Sequence, residues 1–263
     1  MEQPARTEAA TRLLAAYETK EAIAPLTATY EGMNLDDAYA IQLIQLDALI
    51  ERGRTVRGHK VGLTSVAMQE LLGVDQPDYG HVLDDFFHAE HEPIPITPFL
   101  QPRIEPEIGF VLKAPLRGPG VTVDDAIAAI DYVVPSLEIV DSRIKDWKIA
   151  LLDTIADNAS SGAVVLGATH AGIHDVDLAL SECVFTRNGE VVGTGAGSAV
   201  LGSPVNALVW LANTVGARGV ALEAGHVILP GAVCAMVPVE PGDTFTATFS
   251  GLGSVTATFS TES

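Results

Sequence analysis

Behind residue 60 the chain is a succession of short β-rich runs: IGFVLKA, YVVPSLEIV, GAVVLG, ECVFTRNGEVVG, HVILPG and TFTATFSGLGSVTATFS. Gly, Pro and Asn-Gly pairs separate them, which permits hairpins and sheet strands but no helical repeat. TRNGEVV carries the Asn188-Gly189 pair of a type I′ hairpin, and FTATFSGLGSVTATF reads as two alternating runs around a Gly-Leu-Gly turn. Ahead of these runs, residues 8–22 and 35–53 read as helices. The second repeats Ala38, Tyr39, Ile41, Gln42, Leu46, Leu49 and Ile50 at three- and four-residue spacing and stops at Gly53. Two more helices are expected inside the β-rich part, over TVDDAIAAIDYV and SPVNALVWLANTVGARG, the latter with Ser203 as cap, Pro204 at its first position and Gly219 as terminator. The pattern predicts an α+β chain: a helical N-terminal region, 1–60, and a β-rich domain, 61–263.

With 263 residues, 48% hydrophobic and 19% charged, the chain can bury a full core and lacks the composition of disorder. Its 15 Lys+Arg against 34 Asp+Glu leave a net charge of −19, which opposes binding to nucleic acid or to an anionic membrane surface. Two cysteines, Cys183 and Cys234, form no C-x-x-C pair and signal neither a disulfide framework nor a zinc ribbon. The first twenty residues have no uninterrupted apolar run of the signal-peptide kind. A cytoplasmic location is the expectation. Residues 191–217 carry no charge and are long enough to span a bilayer, but their Gly, Ser, Pro and Asn content reads as buried core.

QPRIEPEIGF sets two carboxylates, Glu105 and Glu107, two apart on an expected strand. Alternation then points both to one face and Ile104, Ile108 and Phe110 to the other. Like charges held together are costly when partly buried unless a cation lies between them. A third carboxylate, Glu138, interrupts the apolar run VVPSLEIV, where an unpaired charge is expensive. Three carboxylates suit a hard dication such as Mg²⁺ or Mn²⁺. The plain alternative, a solvated face of an amphipathic strand, remains open on spacing alone.

Lys60, in GHKVGLTS, sits among apolar and glycine residues where a lysine can be desolvated into a base or electrophile, or can simply reach water. Asp78, in VDQPDYG, reads as a turn residue between Pro77 and Gly80. His88 and His91 fit no zinc-helix motif, and GTGAGSAVLG has Ser198 where a dinucleotide-binding loop needs glycine.

Four blocks taken in order, GHKVGLTSVAMQELLGVDQPDYG, QPRIEPEIGFVL, PSLEIVDSRIKDWKIALLDTIADNASSG and GTGAGSAVLGSPVNALVWLAN, resemble the fumarylacetoacetate hydrolase superfamily, and within it the 2-hydroxypenta-2,4-dienoate (2-keto-4-pentenoate) hydratases of meta-cleavage aromatic and steroid degradation. The resemblance implies a mixed β-sandwich or roll with a small helical N-terminal region. It implies metal ligands at Glu105, Glu107 and Glu138, catalytic roles for Lys60 and Asp78, and a substrate-orienting hydroxyl at Ser160. The expected activity is metal-dependent addition of water to a 2-hydroxydienoate, giving a 4-hydroxy-2-oxo acid. The related 2-oxo-3-hexenedioate (4-oxalocrotonate) decarboxylases share these blocks; Arg103 and Asp146-Trp147 favour the hydratase. A non-catalytic metal- or partner-binding member is a third reading. Pro230, standing where the hydratase pattern has threonine, removes a hydroxyl and an N–H near the expected substrate carboxylate. The family further implies a homo-oligomer, a pentamer or decamer, and association with a downstream aldolase.

Overall fold

The computed structural model describes residues 1–65, 69, 74 and 76–261. Residues 66–68, 70–73 and 75, within the first of the four blocks, lie outside the described residues. Three helices open the chain: α1 (Gln3–Thr19), α2 (Leu26–Thr29) and α3 (Leu35–Glu51). α1 begins five residues before the expected position 8, with a proline in its first turn, and ends where Lys20 turns left-handed. Asn34 and Asp37 form a reciprocal capping box at the start of α3. Asp37 also takes an ion pair from the Met1 amino group, 2.8 Å, and one from Arg6, 2.7 Å, tying α1 to α3.

The body is a mixed sheet built from β1 (Val56–Gly62), β2 (Asp78–Leu83), β3 (Phe87–His88), β4 (Arg103–Leu112), β5 (Ile130–Val140), β6 (Ser161–Leu166), β9 (Val227–Leu229) and β10 (Val237–Pro238). Its order is β2-β1-β9-β4-β5-β6-β3, with β10 on the edge of β4. It rolls round until β2 touches β6. A second sheet, β12-β11-β7-β8, consists of β7 (Glu182–Arg187), β8 (Glu190–Ala196), β11 (Thr244–Phe249) and β12 (Gly253–Thr258) and packs on β5 and β6. Both expected hairpins form, β7–β8 and β11–β12, with Asn188 and Gly189 at positive φ in the first turn.

Among the described residues three helices insert in the body: α4 (Val123–Ala129), α5 (Leu151–Ala156) and α6 (Pro204–Gly216). The expected helix TVDDAIAAIDYV is split. Its first half is α4, capped by Thr122; from Ile130 the β-branched and aromatic residues enter β5. At α6, Ser203 makes no side-chain cap, and the helix ends at Gly216 rather than at Gly219. The segment Gly197–Gly216 is long and apolar enough to cross a membrane by length and composition alone, yet its helical part sends Val205, Ala207, Leu208, Leu211, Ala212 and Val215 into the core.

The roll has two differently used faces. On the outer face, Ile104, Ile108, Phe110, Leu137 and Ile139 join the main core beneath the helices and the second sheet. The β1–β2 pairing also puts His59 opposite His81 on that face, with ring centroids 5.0 Å apart and His226 5.5 Å from His59. All four ring nitrogens of His59 and His81 are buried without a protein partner among the described residues. Burial, reinforced by His226, pushes His81 from 6.5 down to about 4. Below pH 6.5 the unfolded chain therefore takes a proton that folded His81 refuses, and stability falls as pH falls toward 4. His81→Phe is expected to remove this liability. In urea titrations, wild type should lose about 2 kcal/mol more than the variant between pH 7 and pH 5; parallel losses would show that His81 carries no such linkage.

Candidate active site

The inner face of the roll carries the chemistry. β4 and β5 pair antiparallel with Glu105 opposite Glu138 and Glu107 opposite Ser136, so alternation turns all three carboxylates inward. β4 is buried on nearly its whole length, and the expected half-exposed strand is not what forms: Glu107 and Glu138 are both 0% exposed, Glu105 half-buried. One oxygen from each carboxylate lies within 4.8 Å of the others. Glu107 Oε1 and Glu138 Oε1 are buried with no hydrogen-bond donor among the described residues, and Glu138 Oε2 faces the Lys60 ammonium at 3.4 Å. Burial leads the causes that raise the carboxyls of Glu105, Glu107 and Glu138, the last to about 8; neighbouring carboxylates add to it, Asp78 at Glu105, Glu138 and Glu105 at Glu107, and Glu105 at Glu138, while the charge of Lys60 opposes it. Buried anionic oxygens pointing at one another without donors are the donor set that a hard dication satisfies. The three residues fit a divalent cation.

Lys60 reaches the same place from β1, its Nζ 3.4 Å from Glu138 Oε2. It is desolvated, as the apolar setting predicts, and paired with Glu138. Burial pulls the ammonium's pKa down, and the charges of Glu138, Glu105, Asp78 and Glu107 more than reverse this, leaving it raised. Asp78 is not the turn residue the sequence suggests. It opens β2, opposite Gly62 of β1, and is 1% exposed. Its Oδ2 accepts from the Thr154 hydroxyl at 3.1 Å, while Oδ1 has no hydrogen-bond partner among the described residues. Burial raises its pKa, opposed by Lys60. Gly62 makes this approach possible: a Cβ there would lie 2.2 Å from Asp78 Oδ1 and 3.5 Å from Lys60 Nζ.

Ser160 ends a turn, Asn158–Ser160, whose three residues are all left-handed, at φ 53°, 50° and 54°. Each such non-glycine residue costs roughly 1–2 kcal/mol, so the surroundings must hold the turn. Arg143 does so from within the core, its Nε 2.6 Å from Asp157 Oδ1 and its Nη1 3.1 Å from Ser161 O. Asn158 is clamped to β2 by bonds to both the N–H and the C=O of His81. From α3, Gln42 donates to Tyr79 O and Ile155 O, and Gln45 to Ala156 O. The Ser160 hydroxyl is buried and unpartnered, and no hydrogen bond joins it to the carboxylates among the described residues.

Four contributors escape a reading of the sequence. Thr154 looks like one more polar residue of a short helix. Gln42 and Gln45 look like ordinary stripe residues of α3. Gly231 donates its N–H to Glu107 Oε2 at 2.7 Å from a backbone at φ +124°, a conformation suited to glycine. The neighbouring Pro230 is buried, and the N–H that meets the carboxylates belongs to Gly231, the residue after it.

Residues 56–260 match the fumarylacetoacetate (FAA) hydrolase C-terminal family. The 2-keto-4-pentenoate hydratase of Paraburkholderia xenovorans (strain LB400) is 50% identical over 254 residues, covering 97% of this chain and 94% of the relative. The 2-hydroxyhexa-2,4-dienoate hydratase of Comamonas testosteroni is 43% identical over 250 residues, covering 94% of this chain and 95% of the relative. Among solved structures, 4-oxalocrotonate decarboxylase from Pseudomonas putida G7, complexed with magnesium and adipate, superposes with a TM-score of 0.95 at 39% identity, covering 98% of each chain.

Proposed function

The chain belongs to the fumarylacetoacetate (FAA) hydrolase C-terminal family, and from that premise we propose that it is a metal-dependent hydro-lyase adding water to 2-hydroxypenta-2,4-dienoate or a substituted analogue. The product would be a 4-hydroxy-2-oxo acid of meta-cleavage aromatic or steroid degradation. The observation that carries the reading is the meeting of Glu105, Glu107 and Glu138 beside Lys60 and Asp78, in a chain half identical to a 2-keto-4-pentenoate hydratase along nearly its whole length.

Glu105, Glu107 and Glu138 would hold the cation, Mg²⁺ or Mn²⁺. Bound there, it supplies Lewis-acid polarisation of the substrate's carboxylate and C2 oxygens. Lys60, paired with Glu138, would offset the surplus negative charge of the carboxylates and share proton transfer and water placement with Asp78. Asp78, aimed by Thr154 and raised by burial, exchanges a proton with the substrate as the dienol becomes the 2-oxo-3-enoate. Water then adds at C4, which the conjugated 2-oxo group has made electrophilic. Ser160 presents its hydroxyl to a substrate oxygen. Residues 1–60 serve as the helical buttress and 61–263 as the β-rich catalytic domain.

The similarity to the decarboxylase supports a second reading, loss of CO₂ from 2-oxo-3-hexenedioate, since the same polarisation stabilises the charge left behind. Incubating the protein and Mg²⁺ or Mn²⁺ with each compound separates the two. The hydratase is expected to consume the diene absorbance of 2-hydroxypenta-2,4-dienoate without CO₂ release, to stop on chelation with EDTA, and to recover when metal returns. CO₂ release from the hexenedioate without hydration of the dienoate would replace the first reading by the second. Metal binding with turnover of neither would leave a non-catalytic member. We place the enzyme in the cytoplasm as a homo-oligomer, a pentamer or decamer, associating with the aldolase that consumes its product. The exposed apolar side chains Leu180, Val184, Val191 and Val192 of the second sheet and its approach support subunit contacts.

A further inference from the structure

Beyond Gly62, the last residue of β1, Leu63 turns left-handed at φ 57°, a conformation that a non-glycine residue keeps only where its surroundings over-determine it. The turn carries Thr64, 4% exposed, off the strand that bears Lys60 and against Gly231, two residues past the end of β9. No space is left between them. A Cβ on Gly231 would lie 2.1 Å from Thr64 Oγ1, 2.8 Å from its Cγ2 and 2.9 Å from its Cβ. Both sides of the turn are tied down: Gln69 Nε2 donates to Leu63 O at 2.8 Å, and the Leu201 N–H donates to Thr64 O at 3.2 Å.

Gly231 needs such a neighbour. Its N–H donates to Glu107 Oε2 at 2.7 Å and leaves Oε1, which has no donor among the described residues, for a cation. At φ +124° and with no side chain to hold it, a glycine can swing its N–H away from an acceptor more easily than any other residue. Downstream the segment is fastened, since the Val233 N–H donates to Pro106 O at 3.0 Å and Val233 O would lie 1.9 Å from a Cβ on Gly195. Upstream, Pro230 has no N–H with which to fasten it. The Thr64 side chain supplies the missing restraint from the β1 side, by its shape.

We propose that Thr64 is a positioning residue of the metal site: its Oγ1 and Cγ2 wedge Gly231 so that the Gly231 N–H stays on Glu107 Oε2 and Oε1 is left for the cation. The proposal rests on the reading that Glu107 is a metal ligand. Thr64→Ala opens room beside Gly231, whereas Thr64→Val refills it with a methyl in place of the hydroxyl. Wild type and the two variants are compared by Mn²⁺ titration calorimetry, by rates with 2-hydroxypenta-2,4-dienoate at limiting and saturating Mn²⁺, and by melting curves. Thr64→Ala is expected to weaken Mn²⁺ binding about tenfold to a hundredfold, with most of the lost rate recovered at saturating Mn²⁺, and Thr64→Val to restore near-wild-type affinity. If Thr64→Ala does not fold, Thr64→Ser, which removes Cγ2 alone, replaces it with the same expected direction. Unchanged Mn²⁺ affinity in the folded, truncated variant overturns the wedge. So does a Thr64→Val protein as weak as Thr64→Ala, which would put the effect in the hydroxyl. Failure of wild type to bind Mn²⁺ overturns the metal reading and the wedge together.

Discussion

Glutamine in place of Glu107 is expected to lower kcat/KM by on the order of a thousandfold or more and to abolish stoichiometric Mg²⁺ or Mn²⁺ binding. Glu107 is fully buried; one oxygen accepts from Gly231 and the other has no donor among the described residues. The amide matches the carboxylate in shape, so the roll is preserved while an anionic ligand oxygen is lost. The metal-free variant should be at least as heat-stable as wild type, because burial and the charges of Glu138 and Glu105 already disfavour an ionised Glu107 there. Calorimetric metal titration, initial rates and melting curves read these three effects separately. Near-normal turnover of the variant under metal-limited conditions would remove Glu107 from the ligand set.

Asp157→Ala is expected to cost about 3–5 kcal/mol of stability, the larger structural effect of any single change considered. Arg143 is wholly buried and gives Asp157 its Nε at 2.6 Å and its backbone N–H at 3.0 Å, with Tyr17 stacked 4.5 Å from its guanidinium carbon. Without Asp157 a guanidinium is stranded in the core. The same loss releases the left-handed turn at Ser160, so activity should fall further than the unfolded fraction explains. Urea unfolding with parallel rate measurements checks both. A loss under 1 kcal/mol would mean that the pair is not what holds the turn. Arg143→Met combined with Asp157→Leu should recover part of the stability but not the activity, since a packed apolar pair replaces the charges without fastening Ser161 O.

What could be read from the chain follows the range of the forces involved. The two hairpins and α3 are local: Asn188-Gly189 and the Asn34/Asp37 box act within a few residues, and their positions came out as expected. The alternation of β4 likewise foretold that Glu105 and Glu107 share a face. It could not foretell that the sheet rolls up and buries that face, because closure depends on β2 meeting β6, far apart in sequence. Asp78 was misplaced for the same reason. Pro77 and Gly80 carry local turn preferences, and pairing with β1 overrides them. The break inside TVDDAIAAIDYV is the converse case, where helix-forming DDAIAA and strand-forming IDYVV abut without a glycine to mark the border. The roles of Thr154 and Gly231 depend on contacts with Asp78 and Glu107 across the fold, which no spacing encodes.

The amides of Gln42 and Gln45 have a consequence for how such a chain can change over time. They bind main-chain carbonyls of Tyr79, Ile155 and Ala156, groups every replacement side chain at those positions would still present. Helices α1–α3 stand ahead of the family-matched residues 56–260, and the two glutamines fasten α3 to the body. A slight tilt of α3 would then shift Thr154, and with it the Asp78 carboxylate, without altering a single inward-facing residue. The opening helices thus help to fix where the Asp78 carboxylate lies, from outside the roll.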